Sequence, residues 1–161
     1  LFALADNGHA DTAYKMLLNT QCPSWLYEVR VGATTVWERW DGLDENGECP
    51  IGDDGTDMMI SYNHYASGAV GAFLYRRVLG VEPTEAGYRK FKFAPVVGGG
   101  ITEAEGTVGT PYGVIKAAWK IADGEMTMTV AVPVGTECTV VLPSGEEKVL
   151  ASGEYTVTAK A

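Results

Sequence analysis

Two short stretches hold the side chains of this chain with the most chemical capacity. In Gly32-Ala-Thr-Thr-Val-Trp-Glu-Arg-Trp-Asp-Gly42, Glu38 stands between Trp37 and Trp40, with Arg39 and Asp41 beside it. A carboxylate can bond hydroxyls or take a proton from water, and an indole face covers the apolar C–H face of a sugar ring. The same residues also have a purely structural use. Trp37 and Trp40 are three apart, so on a helical turn both would enter a core while Glu38 and Arg39 faced water. The second stretch, Ser61-Tyr-Asn-His64, brings one of the chain's two histidines, which by itself fits a partly buried, hydrogen-bonded imidazole.

Helical patterns surround both stretches. Residues 9–19 set Ala10, Ala13, Tyr14, Leu17 and Leu18 at helical spacing. Pro23 ends that run and Ser24 can cap a second helix through Trp25, Leu26 and Val29. From Asp41 to Asp57, glycines and carboxylates without periodicity predict a long surface loop. Within it, Asp53-Asp-Gly-Thr-Asp57 is dense in acid but lacks the alternating ligand register of a calcium loop, so no metal site is expected. Residues 61–80 predict one helix with Tyr62, Tyr65, Ala66, Ala69, Val70, Phe73, Leu74 and Val78 on a broad apolar face and Gly80 beyond its end.

After Pro83 the periodicity changes to two. Arg89–Ala94, Ile101–Val108, Val114–Ile121, Met126–Val132, Thr139–Leu142 and Glu154–Thr158 read as short strands separated by glycine-containing turns, the pattern of an antiparallel sandwich. Phe91, Phe93, Tyr112, Trp119 and Tyr155 sit mostly at alternating positions and are expected in its core. The fold class is therefore α+β in two units, helices over 1–85 and strands over 86–161. The apolar, uncapped opening at Leu1 is that of a helix continuing from further upstream, and the helical half has the character of the tail of a larger helical domain.

Composition narrows the partners. A net charge of −9 over 161 residues argues against nucleic acid or an anionic membrane surface. Most of that charge, −8, lies in residues 1–85, which suits a neutral or cationic ligand better than a phosphate. Cys22, Cys49 and Cys138 are too few and too scattered for a disulfide framework or a paired-cysteine metal site; they fit a reducing compartment without ruling on export.

The order of motifs is specific. NGHADTAYKMLL, PSWLYEVRVGATTVWERWDG, SYNHYASGAVGAFLYRRVLG, YRKFKFAPVVGGGI and TPYGVIKAAWK together resemble the C-terminal part of a bacterial α-L-rhamnosidase of glycoside hydrolase family 78. The resemblance implies the terminal helices of an (α/α)6 catalytic barrel over 1–85 and a C-terminal β-sandwich over 86–161. It implies hydrolysis of terminal α-L-rhamnose from glycosides with inversion, no cofactor or metal, Glu38 as general base, and His64 as a contact to the bound sugar, with Trp37 and Trp40 as walls of the sugar site. A neutral imidazole offers one donor and one acceptor, which suits neighbouring hydroxyls. Arg39 and Asp41 are expected to hold the loop.

The general acid of that family has no counterpart here, so the isolated chain is expected to be inactive. The competing expectation is a non-catalytic sugar-binding or scaffold sandwich with a helical adaptor. A related six-hairpin enzyme for another sugar fits the paired WERWDG and NHYA elements less well.

Overall fold

The computed structural model describes residues 1–52, 55–56 and 59–161. The chain divides into two compact units, Leu1–Gly71 and Ala72–Ala161. No helix among the described residues is long and apolar enough to cross a membrane. The acidic stretch Asp53–Asp57, weighed above for calcium, falls largely outside the described residues.

The first unit opens with α1 (Phe2–Ala5), α2 (Ala10–Leu17) and α3 (Trp25–Arg30). Helix α2 forms where the apolar spacing predicts it and buries Ala13, Tyr14 and Leu17, whereas Leu18 just past its end is 38% exposed. At α3 the Ser24 side chain accepts from the Tyr27 N–H at 3.0 Å, the capping bond that satisfies an otherwise unpaired first-turn donor.

The continuous helix expected over 61–80 is absent. Residues 61–64 are not helical, α4 covers only Tyr65–Gly68, and α5 covers Val70–Phe73. The chain then widens into a π-helical turn over Leu74–Val78. Two causes are local. The His64 N–H donates to Val36 O at 2.8 Å, which fixes His64 in an extended conformation and starts the helix after it. Gly68 and Gly71 are poor helix formers on either side of the break at Ala69. The apolar face is correspondingly incomplete, with Tyr65 90% exposed.

The second unit is a sandwich of two four-stranded sheets. One has the order β1 (Val81–Pro83), β2 (Lys90–Phe93), β6 (Glu137–Val141), β7 (Glu147–Leu150); the other β3 (Glu103–Thr110), β4 (Gly113–Ala122), β5 (Glu125–Val132), β8 (Gly153–Lys160). The second sheet is antiparallel throughout. The first is not, because β2 and β6 pair in parallel. Between them the chain builds β3, β4 and β5 in the opposite sheet, and this long excursion allows a parallel return that no hairpin could make. Strand β4 turns into β5 at Asp123-Gly124, both at positive φ, the backbone that a tight two-residue hairpin requires.

Alternation explains the core. In β5, Met126, Met128, Val130 and Val132 point inward, and they meet Ile115, Ala117 and Trp119 of β4, Phe91 and Phe93 of β2, and Cys138 and Val140 of β6. Trp119 donates its Nε1–H to Val78 O at 2.8 Å. Tyr155 packs at the core's edge, while Tyr112, expected inside, is 42% exposed because it occupies the turn between β3 and β4.

Candidate active site

The stretch 32–42 is a loop, so Trp37 and Trp40 do not share a helical face. Trp37 is 3% exposed and its ring stands edge-on to Tyr62, with centroids 5.4 Å apart. Trp40 is half-buried, edge-on to Trp25 at 5.0 Å, and its Nε1–H is buried without a hydrogen-bond partner. Of the two indoles, Trp40 retains surface. Glu38 is exposed.

Residues 35–38 and 61–64 lie side by side. The Glu38 N–H donates to Ser61 O at 2.8 Å, the His64 N–H to Val36 O at 2.8 Å, and the Thr35 hydroxyl to Tyr62 O. The two stretches singled out by their chemistry are thus stitched together through the backbone, although they are more than twenty residues apart in sequence. The Glu38 side chain belongs to the same seam, since its Oε2 accepts the Ser61 N–H at 3.0 Å. That bond fixes one carboxylate oxygen. His64 stacks on Tyr65, centroids 5.6 Å apart, and its Nδ1 is buried without a partner.

Arg39 and Asp41 form a two-pronged pair, Nε to Oδ1 at 3.0 Å and Nη2 to Oδ2 at 2.7 Å, and the guanidinium lowers the Asp41 pKa below the usual carboxylate value. The turn that follows is held by two phenols. Tyr27 donates to Leu43 O and Tyr62 to Gly42 O, both at 3.0 Å. At Gly42 a Cβ would come within 2.6 Å of Ile60 Cδ1 and 2.9 Å of Trp37 Cε3, so any larger residue there requires those side chains to shift. Further on, Asp44 accepts the Asn46 and Glu48 N–H groups at 2.8 and 2.9 Å, which depresses its pKa, and Arg30 pairs with Glu45 at 2.8 Å.

Sequence reasoning passed over Glu28. It is 2% exposed, on α3, and its Oε2 accepts the Trp37 N–H at 3.1 Å. Its signal was a carboxylate inside the apolar run Trp25-Leu-Tyr-Glu-Val29. Ser61 and Tyr62 were also missed as supports, and nothing in their types distinguishes them from ordinary loop residues.

Residues 1–78 match the family described as the bacterial alpha-L-rhamnosidase 6 hairpin glycosidase domain, and residues 80–156 the bacterial alpha-L-rhamnosidase C-terminal domain. The chain belongs to the bacterial α-L-rhamnosidase family. It is 36% identical over 148 residues to an α-L-rhamnosidase of Formosa agariphila, covering 91% of this chain and 15% of that protein. It is 38% identical over 141 residues to one of Streptomyces avermitilis, covering 88% and 13%. The chain therefore spans about 15% of the length of these rhamnosidase relatives.

Among solved structures, the native α-L-rhamnosidase of Aspergillus terreus superposes with a TM-score of 0.85 at 37% identity, covering 96% of this chain and 18% of that one. The Streptomyces avermitilis α-L-rhamnosidase complexed with L-rhamnose also gives 0.85, at 32% identity, covering 98% and 17%. The resemblance carried by the sequence motifs is thus confirmed, and the chain corresponds to the C-terminal part of such a glycoside hydrolase.

Proposed function

We propose that this chain is the C-terminal part of an inverting α-L-rhamnosidase, acting on terminal α-L-rhamnose of glycosides, and that it contributes the general base, Glu38. The observation that carries this is the seam between the two motif stretches: an exposed carboxylate, oriented by the Ser61 N–H, lies on a loop segment hydrogen-bonded through the backbone to the one that ends at His64. Inversion needs an ionised carboxylate that takes a proton from water while a carboxylic acid, roughly 6.5–9.5 Å away across the sugar, protonates the leaving oxygen. Glu38 supplies the first group. The acid and most of the barrel come from elsewhere in the hydrolase.

In this reading, the helices up to about residue 78 are the closing helices of an (α/α)6 barrel, and the sandwich that follows them in the sequence is a separate domain. His64 and Trp40 offer a buried nitrogen each, without a partner, as hydrogen-bonding groups next to the base. Trp37, buried beneath, supports the site through its packing on Tyr62.

The test follows an aryl α-L-rhamnoside by proton NMR during the first turnovers of the complete hydrolase, with the 161-residue chain as comparison. Release of β-L-rhamnose by the hydrolase and no release by the isolated chain is the expected result. The α anomer appearing first would exclude an inverting base, and turnover by the isolated chain would mean that both carboxyl groups lie within it.

A further inference from the structure

We propose that Glu28 is a positioning residue for Glu38, its buried carboxyl gripping the backbone of the loop one residue before the base. This rests on Glu38 being the general base.

Trp37 lies in a loop, so its N–H has no ladder or helix partner and requires another acceptor in the interior. Glu28 Oε2 provides it at 3.1 Å. The next N–H along, that of Glu38, goes to Ser61 O at 2.8 Å. The two successive amides go to different partners, so the loop is bonded to α3 through residue 37 and to the 61–64 segment through residue 38. Glu28 adds a second hold, because its own carbonyl accepts the Ala33 N–H at 2.9 Å at the loop's entry. With either side released, the base is anchored on one side only.

A carboxyl buried to this degree is costly to keep, and hydrocarbon would pack the site more cheaply. Glu28 Oε1 is buried with no partner at all. Burial raises the Glu28 pKa, opposed by the bond from the Trp37 N–H. These are the marks of a group kept for the acceptor it offers, one oxygen taking the amide. No ion pair from the described residues reaches it, so charge pairing does not account for its presence.

The experiment compares Glu28→Leu, Glu28→Gln and Glu38→Ala, and the double variant of the first and third, in the complete hydrolase. Glu28→Leu leaves the Trp37 N–H without an acceptor, and a displacement of the base by about 1 Å lowers kcat on the order of 100-fold, with KM unchanged because the base acts in the transition state. Glu28→Gln keeps a carbonyl oxygen for that amide and should hold kcat within about threefold of the parent. The double variant should fall no lower than Glu38→Ala, since a residue acting only through the base has nothing left to position.

A parental kcat for a folded Glu28→Leu overturns the proposal, as does a double variant well below Glu38→Ala. If the leucine variant does not fold, Glu28→Asp decides: its carboxyl, one methylene shorter, no longer reaches the amide, and a parental kcat there overturns the proposal equally. A Glu38→Ala variant with parental kcat would instead remove the base assignment itself, a distinct outcome.

Discussion

Replacing Trp119 with Phe separates the two contributions that this side chain makes to the sandwich. Trp119 is 2% exposed and its Nε1–H reaches Val78 O at 2.8 Å. Val78 closes the π-helical turn, where carbonyls have run out of intrahelical donors. Phenylalanine keeps most of the apolar contact but has no N–H, so that carbonyl is left buried and unpaired, at about 1–3 kcal/mol. The smaller ring leaves a void worth about 1 kcal/mol more. Together these are about 2–4 kcal/mol, and at about 4–8 °C per kcal/mol for a domain of this size the sandwich transition should drop by about 8–32 °C.

Calorimetry of the 161-residue chain, or far-UV circular dichroism, reads the change without depending on indole fluorescence, which the substitution itself alters. Phe91→Leu is the control, because Phe91 is equally buried and carries no polar atom. If Trp119→Phe lowers Tm no more than Phe91→Leu does, the hydrogen bond to Val78 contributes nothing and the reasoning fails.

Three further outcomes are expected. Burial pushes the Cys138 thiol up to about 12, so in the native protein a thiolate-selective reagent should modify exposed Cys22 and leave Cys138 untouched until urea unfolds the sandwich; equal labelling rates would contradict its burial. Gly42→Ala drives a methyl group into Ile60 and Trp37, which should cost about 1–3 kcal/mol and lower kcat of the complete hydrolase by displacing the residue before Glu38. Parental stability and kcat would show that the turn has slack. The third concerns Glu28, whose folded pKa lies above its ordinary 4.5. Its contribution to stability is complete below that value and is lost as pH rises through the folded value, so Glu28→Gln, which does not titrate, should gain on the parent between pH 4 and pH 8. A urea-midpoint difference that stays constant across that range would refute the shift.

Period and motif were legible where each residue's role depends on its neighbours in sequence. The alternation in Glu125–Val132 identifies an inward Met-Met-Val-Val face with no knowledge of the partner strands. Ser24 after Pro23 announces a helix start that depends only on local geometry. By contrast, β1 and β7 are short, and β1 includes Pro83; their pairing with β2 and β6 is a tertiary fact.

The parallel pairing of β2 with β6 was illegible for the same reason, since both strands alternate alike in either direction. The helix expected over 61–80 fails at its start because backbone bonds to residues 35–38 outweigh helical propensity in 61–64. For the site, residue types pointed to Glu38 and His64, but the supports are backbone contacts that no spacing encodes: the Ser61 amide on Glu38 and the Glu28 carboxyl on Trp37. Trp37 and Trp40 looked equivalent in sequence, and only the loop's path separates the buried indole from the one that keeps surface.

The proposed function rests on the Glu38 carboxylate, and Glu38→Gln in the complete hydrolase tests it most directly. The amide cannot take a proton from water, whereas its oxygen can still accept the Ser61 N–H. Loss of general-base catalysis should lower kcat on an aryl α-L-rhamnoside by about 100- to 10,000-fold, with calorimetric L-rhamnose affinity and Tm close to those of the parent. A Glu38→Gln enzyme that hydrolyses rhamnosides at the parental rate would contradict the assignment and return Glu38 to an exposed loop carboxylate.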